Sequence, residues 1–376
     1  MKKICIIGAG VSGLFLANII KNQAEFDYKI IEKRPNFNFN EGYGIQLSVN
    51  SIKLLNNIGF KNLPESEVYL PKKVNFFQAH NLKKICDIDL TRFNDDQNRY
   101  TTLKRSTLLK FLSKNIPKEK IKHNTYLEKI ENNDQIVTHF SDKTIEHFDY
   151  VVIADGIFSK SKSIISKGMV SPKFNESIAI RGNLNENSYE DVSIFMGSHF
   201  HYVIYPVNQN REYNFVAVIK KKLNKEELFN EKLFKNNDFL VSLMQIIYKK
   251  SDLKINNLQD IKAYPIFVSN KMNTILQKNI FLSGDALFAF QPSFAQGASQ
   301  SIETANDIFD DIKNNSDRLY KKRISKIHSV EWRSRLNQFL FHLKNPFNIL
   351  VRNVALKYLS KNEKFIESYL GRIYRN

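Results

Sequence analysis

Lys2-Lys3-Ile4-Cys5-Ile6-Ile7-Gly8-Ala9-Gly10-Val11-Ser12-Gly13-Leu14-Phe15-Leu16-Ala17-Asn18-Ile19-Ile20 is the stretch from which the fold is read. An apolar run of strand length breaks into G-x-G-x-x-G and resumes with apolar residues at helical spacing. Each glycine answers a separate steric demand. Gly8 allows the tight turn, Gly10 lets the backbone approach a pyrophosphate, and Gly13 lets helix and strand pack closely. Phosphates would sit on free N–H groups of the first helical turn, at Val11 and Ser12, where the dipole favours negative charge. A second apolar pair, Ile30-Ile31, ends at Glu32, which stands 19 residues beyond Gly13. An acid there accepts hydrogen bonds from a ribose 2′-OH, and Lys33 follows beside the same ribose. Strand, turn, helix, strand and acid in register make a dinucleotide-binding unit. This stretch alone suits NAD and FAD equally.

Outward from it, composition narrows the classes. The chain has 376 residues, 42% hydrophobic and 25% charged, which is ordinary globular material with room for two or three domains. No run reaches the roughly 18 apolar residues of a membrane span. The N-terminal apolar run is too short for a signal peptide. Cys5 and Cys86 supply neither a disulfide framework nor a zinc site, so no metal is expected and the location reads as cytoplasmic. A net charge of +18 raises the question of nucleic acid, but the lysines are scattered among asparagines. No nucleic-acid-binding motif accompanies them, so none is expected as a partner.

Three later segments carry strand-to-loop signals. Tyr150-Val151-Val152-Ile153-Ala154 runs into Asp155-Gly156, a site candidate at the carboxyl end of a strand. His201-Tyr202-Val203-Ile204-Tyr205-Pro206 reads as a strand on which His201 and Tyr205 share a face. Asn279-Ile280-Phe281-Leu282 ends in Ser283-Gly284-Asp285-Ala286, and a loop through Pro292 and Gln296-Gly297 enters a helix over Ala298–Asp311. Ser106 reads as the N-cap of a helix led by Arg105. The pieces interleave. Residues 1–72, 101–170 and 271–317 form the dinucleotide domain, 73–100 and 171–270 the substrate sheet, and 318–376 a basic helical region. In that last region Phe347, Leu350, Val351 and Val354 recur at helical spacing. Packing on the core is their expected use, with an anionic membrane surface as the alternative.

In this order the landmarks resemble the single-component flavoprotein aromatic hydroxylases, in the salicylate-hydroxylase-like branch. Gly8 to Gly13 with Glu32 looks like that family's FAD-binding start, and Gly44-Ile45-Gln46-Leu47 with Asn50 like its flavin-adjacent loop. Arg105 with Leu108 looks like its arginine-led helix, and Asp155-Gly156 like its Asp-Gly motif. Gly284-Asp285-Ala286 with Pro292 and Ala295-Gln296-Gly297-Ala298 is similar to its Gly-Asp motif and flavin-facing loop. Arg181-Gly182, the 201–206 strand, Phe341-His342-Leu343 and Arg352-Asn353 fit as well. The resemblance implies a mixed α/β fold. A Rossmann-like FAD-binding domain would be interleaved with a mostly antiparallel substrate sheet, and a helical segment would close the chain.

It also implies bound FAD, transient NAD(P)H, O2 and a small aromatic substrate, a phenol or aromatic acid, hydroxylated through a flavin C4a-hydroperoxide by a monomer or homodimer. Asp285 would take a ribityl hydroxyl, Asp155 would support the flavin, and Gly297 and Ala298 would aim N–H groups at reduced-flavin charge. Pro292 would wall the ring, His201 would act as base or relay, and Tyr205 would bond the substrate. A larger apolar or membrane-borne substrate is the alternative, and a redox-inactive flavin binder a further one. Two departures stand out. Leu287-Phe288 replace the family's Ala-His, with Phe288, Phe290 and Phe294 near the expected substrate entrance, and Glu303-Thr304 replace its Glu-Asp.

Overall fold

The computed structural model describes all residues except 38, 40–42, 134, 167–170, 186–187, 254–256, 271–276 and 376. The domain boundaries expected at 170 and 271 therefore lie outside the described residues. Five parallel strands run in the order Ile280–Leu282, Tyr150–Ile153, Lys2–Ile7, Phe26–Ile31 and Ile121–Lys122. Ile4, Cys5 and Ile6 are fully buried, as a strand covered on both faces requires, and Cys5 packs as a small hydrophobe. Register decides what this sheet presents. Ile7 pairs with Ile153 and Ile153 with Leu282. The loops that follow, at Gly8, Ala154-Asp155 and Ser283-Gly284-Asp285, therefore leave the sheet side by side at its carboxyl edge.

A second, seven-stranded sheet runs Leu258–Val268, Lys173–Asn185, Glu212–Lys220, Phe200–Pro206, Val192–Gly197, Lys73–Gln78, Lys84–Asp89. Every pairing is antiparallel except that of Val192–Gly197 with Lys73–Gln78. Period-two alternation gives it two faces. Phe200, Tyr202 and Ile204 pack with Leu243, Met244 and Ile247 of the Asn237–Tyr248 helix. His201, Val203 and Tyr205 point the other way, into a cavity. A three-stranded sheet containing Gly44–Leu47 and Thr101–Lys104 stitches the two together. Gly44 N–H donates to Asn214 Oδ1 (2.7 Å), and Thr102 Oγ1 to the Pro206 carbonyl (2.6 Å).

Two expectations are corrected. The Arg105–Lys114 helix begins one residue before Ser106, with Lys104 at the N-cap, so Ser106 is buried inside the first turn. Beyond Arg318–Phe341 the chain breaks at Lys344-Asn345, and Asn345 caps Pro346–Leu359 through the N–H groups of Phe347 and Asn348. Yet Phe347, Leu350, Val351 and Val354 do not pack on the core; all four are exposed. The inner face of that helix uses Leu356, which packs on the cluster of Phe76, Ile85, Met196 and Phe341. Glu303, the acid kept where Thr304 replaces its neighbour, is buried among Arg323, Lys326, Gln300 and Asn50. Asn50 also donates to the Ile373 carbonyl at 2.9 Å, tying the C-terminus to the flavin-side loop. Among the described residues no helix is long and apolar enough to cross a membrane.

Candidate active site

The dinucleotide half is built by close backbone approach. Gly8 has φ +108°, and a Cβ there would stand 2.5 Å from the Ala154 carbonyl. A Cβ on Gly13 would come within 2.0 Å of the Gly8 carbonyl. Gly10 and Gly297 differ in kind, for a Cβ on either would meet no atom within 4 Å. Their hydrogens face open space, which is the cradle a ligand would fill. The first intrahelical bonds are Leu14 N–H to Gly10 (2.9 Å) and Gln300 N–H to Gln296 (2.9 Å). The amides of Val11, Ser12 and Gly13, and of Gly297 and Ala298, lie ahead of those bonds and are the donors a helix start offers an anion. Glu32 Oε2 accepts from Ala9 N–H (2.7 Å) and Oε1 from Arg34 N–H (2.9 Å), so the expected ribose acid also braces the glycine turn. Lys33 is exposed beside it. Ser12 Oγ lies 2.6 Å from Ser283 Oγ, joining the glycine loop to the strand that delivers Asp285.

At the other end a cavity of about 730 Å³ lies between the carboxyl edge of the parallel sheet and the open face of the seven-stranded sheet. Gly44, Gln46, Arg105, Asp285, Pro292, Gln296, Gly297, Ala298, His201 and Tyr205 all line it. Thus residues up to about 250 positions apart in sequence, expected on the flavin and substrate sides, meet at one void. Asp155 and Gly156 stand at the neighbouring strand end but do not line it; Ile157 and Phe158 do. Asp285 is open to the cavity while protein surrounds it, and that burial raises its carboxyl above the ordinary range, with the Arg105 charge pulling it back. Burial likewise raises Asp155, whose Oδ1 has no partner while Oδ2 accepts from Ser161 N–H at 3.3 Å. The Ser293 hydroxyl and Gln296 Nε2 are buried without partners beside the cavity. Such groups call for a polar ligand. The open glycines, helix-start amides and unpartnered donors and acceptors fit the pyrophosphate and polar ring edges of FAD.

The substrate side is mostly apolar, with Val74, Phe76, Ile194, Val203, Val216, Val218, Phe290 and Phe294 on its walls. Phe288 does not join them; it turns into the core against Phe290. His201 is buried, and its Nδ1 lies 2.8 Å from His342 Nε2 at the end of the Arg318–Phe341 helix. Burial first, and His342 second, hold His201 well below its ordinary range. Burial, with His199 and Lys220 nearby, lowers His342 to about 3. Both rings are neutral at pH 7. Burial raises the Tyr205 hydroxyl, which Gln46 hydrogen-bonds, so Tyr205 is a neutral donor.

Sequence reasoning missed several participants. Tyr100 lines the cavity and donates to Gln46 Oε1 (2.7 Å). Tyr374, nearly at the C-terminus, packs beside it. Arg181 brings its guanidinium into the cavity wall, 5.7 Å from the Tyr43 ring. The resemblance singles out Arg181-Gly182 but gives Arg181 no role at the site, because strand limits alone do not say which face is open.

A family model described as "FAD binding domain" matches residues 1–312. The 3-amino-4-hydroxybenzoate 2-monooxygenase of Streptomyces cremeus is 22% identical over 80% of this chain and 76% of its own. The salicylate hydroxylase of Pseudomonas putida is 21% identical, over 81% and 74%. Among solved structures, Klebsiella pneumoniae HpxO complexed with FAD and uric acid superposes with a TM-score of 0.82 at 14% identity, covering 99% of this chain and 96% of the other. The match to the family model ends at 312, so the residues behind the cavity's C-terminal wall lie beyond it.

Proposed function

The chain belongs to the FAD-binding-domain family of flavoprotein monooxygenases, and from that premise we propose that it uses NAD(P)H and O2 to hydroxylate a small aromatic compound, a phenol or an aromatic acid. The observation that carries this reading is the cavity, which joins a cofactor cradle to an apolar wall bearing only a few polar groups. Such a lining accepts an aromatic ring and orients its substituents. The similar enzymes named above act, by their names, on hydroxylated aromatic acids.

The chemistry that bound FAD supplies is two-electron reduction by NAD(P)H and transfer of one oxygen atom of O2 to the ring. The protein's part is electrostatic and positional. The helix-start amides of Gly297 and Ala298 stabilise negative charge at the cavity edge. Pro292 offers a flat wall without an N–H. Asp285 and Arg105 hold opposite charges beside the cradle and fix polar hydroxyl and phosphate groups there. On the opposite wall His201 takes the phenolic proton, which makes the ring a better nucleophile. When His201 Nδ1–H donates to His342, His201 Nε2 is the proton acceptor, and the pair gives the proton a way out of the cavity. Tyr205 donates to the substrate's hydroxyl or carboxylate, and Arg181 favours an anion.

A larger apolar substrate is the second reading, favoured by the predominance of Val, Ile and Phe on the walls. The test is a panel of phenols, aromatic acids and prenylated phenols given to the FAD-loaded protein, following NADH and NADPH oxidation and product. Stimulated oxidation with a hydroxylated small aromatic supports the proposal. Stimulation by prenylated phenols only would transfer it to the second reading, and no FAD uptake would end both.

A further inference from the structure

The Pro346–Leu359 helix presents an apolar face that nothing among the described residues covers. Phe347, Leu350, Val351, Val354 and Tyr358 are each between 51% and 71% exposed. At 3.6 residues per turn they fall within an arc of about 100°. The opposite side is the packed one, where Arg352 is buried and donates to the Leu340 carbonyl (3.0 Å) and Leu356 packs on the cluster of Phe76, Ile85, Met196 and Phe341. The helix is therefore already anchored, and its outer stripe is surplus to folding. Contiguous exposed apolar surface of this kind marks an interaction site.

Charge identifies the partner. The helix carries no acidic residue. Lys344 precedes it, Lys357 lies on it and Lys361 follows it, all exposed, and no carboxylate among the described residues forms an ion pair with any of them. From 318 to 376 there are 14 Lys and Arg against 3 Glu and no Asp. Val354, Tyr358, Lys357 and Lys361 share a surface hollow of about 560 Å³. Apolar side chains flanked by lysines suit the boundary between acyl chains and anionic headgroups. They do not suit a second copy of this chain, because a two-fold contact would set the same lysines against each other.

We infer that the outer face of Pro346–Leu359 docks this protein on the surface of an anionic lipid bilayer, without crossing it. The inner face of the same helix borders the cavity through Leu356 and Leu359. Docking would hold that cavity about one helix diameter, ~10–12 Å, from the headgroups. The inference stands apart from the reading of the chemistry, because its test reads lipid binding and not turnover.

The test is co-sedimentation of the full chain, loaded with FAD, with vesicles of phosphatidylcholine alone and of phosphatidylcholine containing roughly one third phosphatidylserine. The double variant Leu350→Glu/Val354→Glu, at positions exposed in the fold, is run beside it with sedimentation velocity on both proteins. The expected result is binding to the anionic vesicles that weakens at least tenfold at high salt and in the variant, with FAD content and melting unchanged. Equal binding to both vesicles, no binding to either, or a dimer that the variant dissociates would each overturn the inference.

Discussion

At the scale of single residues, the glycines separate two functions that the motif merges. Gly13→Ala would force a Cβ to 2.0 Å from the Gly8 carbonyl. It should destabilise the FAD-free protein by about 1–3 kcal/mol, the usual cost of overpacking, as read from urea denaturation. Gly10→Val meets no protein atom near its Cβ. It should leave FAD-free stability unchanged while weakening FAD on the order of 100-fold, as about 3 kcal/mol of lost binding would; titration of flavin fluorescence reads this. Equal effects of the two substitutions on FAD-free stability would contradict the cradle. The histidines make a separate prediction. Removing His201 with His201→Ala should slow hydroxylation on the order of 100-fold while flavin reduction changes little. Both His201 and His342 are depressed in the fold, so between their folded values and the ordinary value near 6.5 the unfolded chain binds more protons. Their contribution to stability is full above about pH 6.5 and is lost as pH falls toward the folded values, by up to about 1.4 kcal/mol per unit per histidine. Denaturation at pH 7 and pH 5 should show that slope, flattened in His201→Asn/His342→Asn. Spacing alone placed His201 and Tyr205 on one face. It could not supply His342, which stands 141 residues away and meets His201 only through tertiary packing.

Among elements, the Gly297–Asn314 helix does two jobs within its first half. Its start faces the cavity, while Glu303 one and a half turns on anchors Arg323 and Lys326 of the Arg318–Phe341 helix. Glu303→Ala would take that carboxylate from buried Arg323, which keeps Asp307, and from half-buried Lys326, and should cost about 3 kcal/mol, measured by urea denaturation. A cost under ~1 kcal/mol would mean that the network is solvated and does not fix the C-terminal helices. The helices and strands around the motifs were legible because their periodicities are strong. The use of Pro346–Leu359 was not, because helical spacing of apolar residues looks the same whether the stripe faces a core or the outside. Phe288 illustrates the same gap: loop sequence placed it near the substrate, and packing turned it inward.

On the scale of the whole molecule, one sheet edge and one sheet face enclose the site, and the chain returns three times to build it. The parallel-sheet loops were recognisable in sequence because each carries Gly or Asp where a strand ends. Their meeting with the His201 strand depends on the small Gly44–Leu47 sheet, whose Asn214 and Pro206 contacts leave no local trace. The C-terminal wall, with Leu340, Phe341 and Tyr374, lies beyond residues 1–312 matched by the family model and closes the cavity from the side of the last helices. The central claim is that this enclosure directs one oxygen atom of O2 onto an aromatic ring. Turnover of the FAD-loaded protein under isotopically heavy O2, with NAD(P)H and the aromatic that most stimulates its oxidation, tests it most directly. The expected result is one heavy oxygen atom in the ring hydroxyl for each NAD(P)H consumed. Hydrogen peroxide as the sole product, with every aromatic recovered unlabelled, would contradict it.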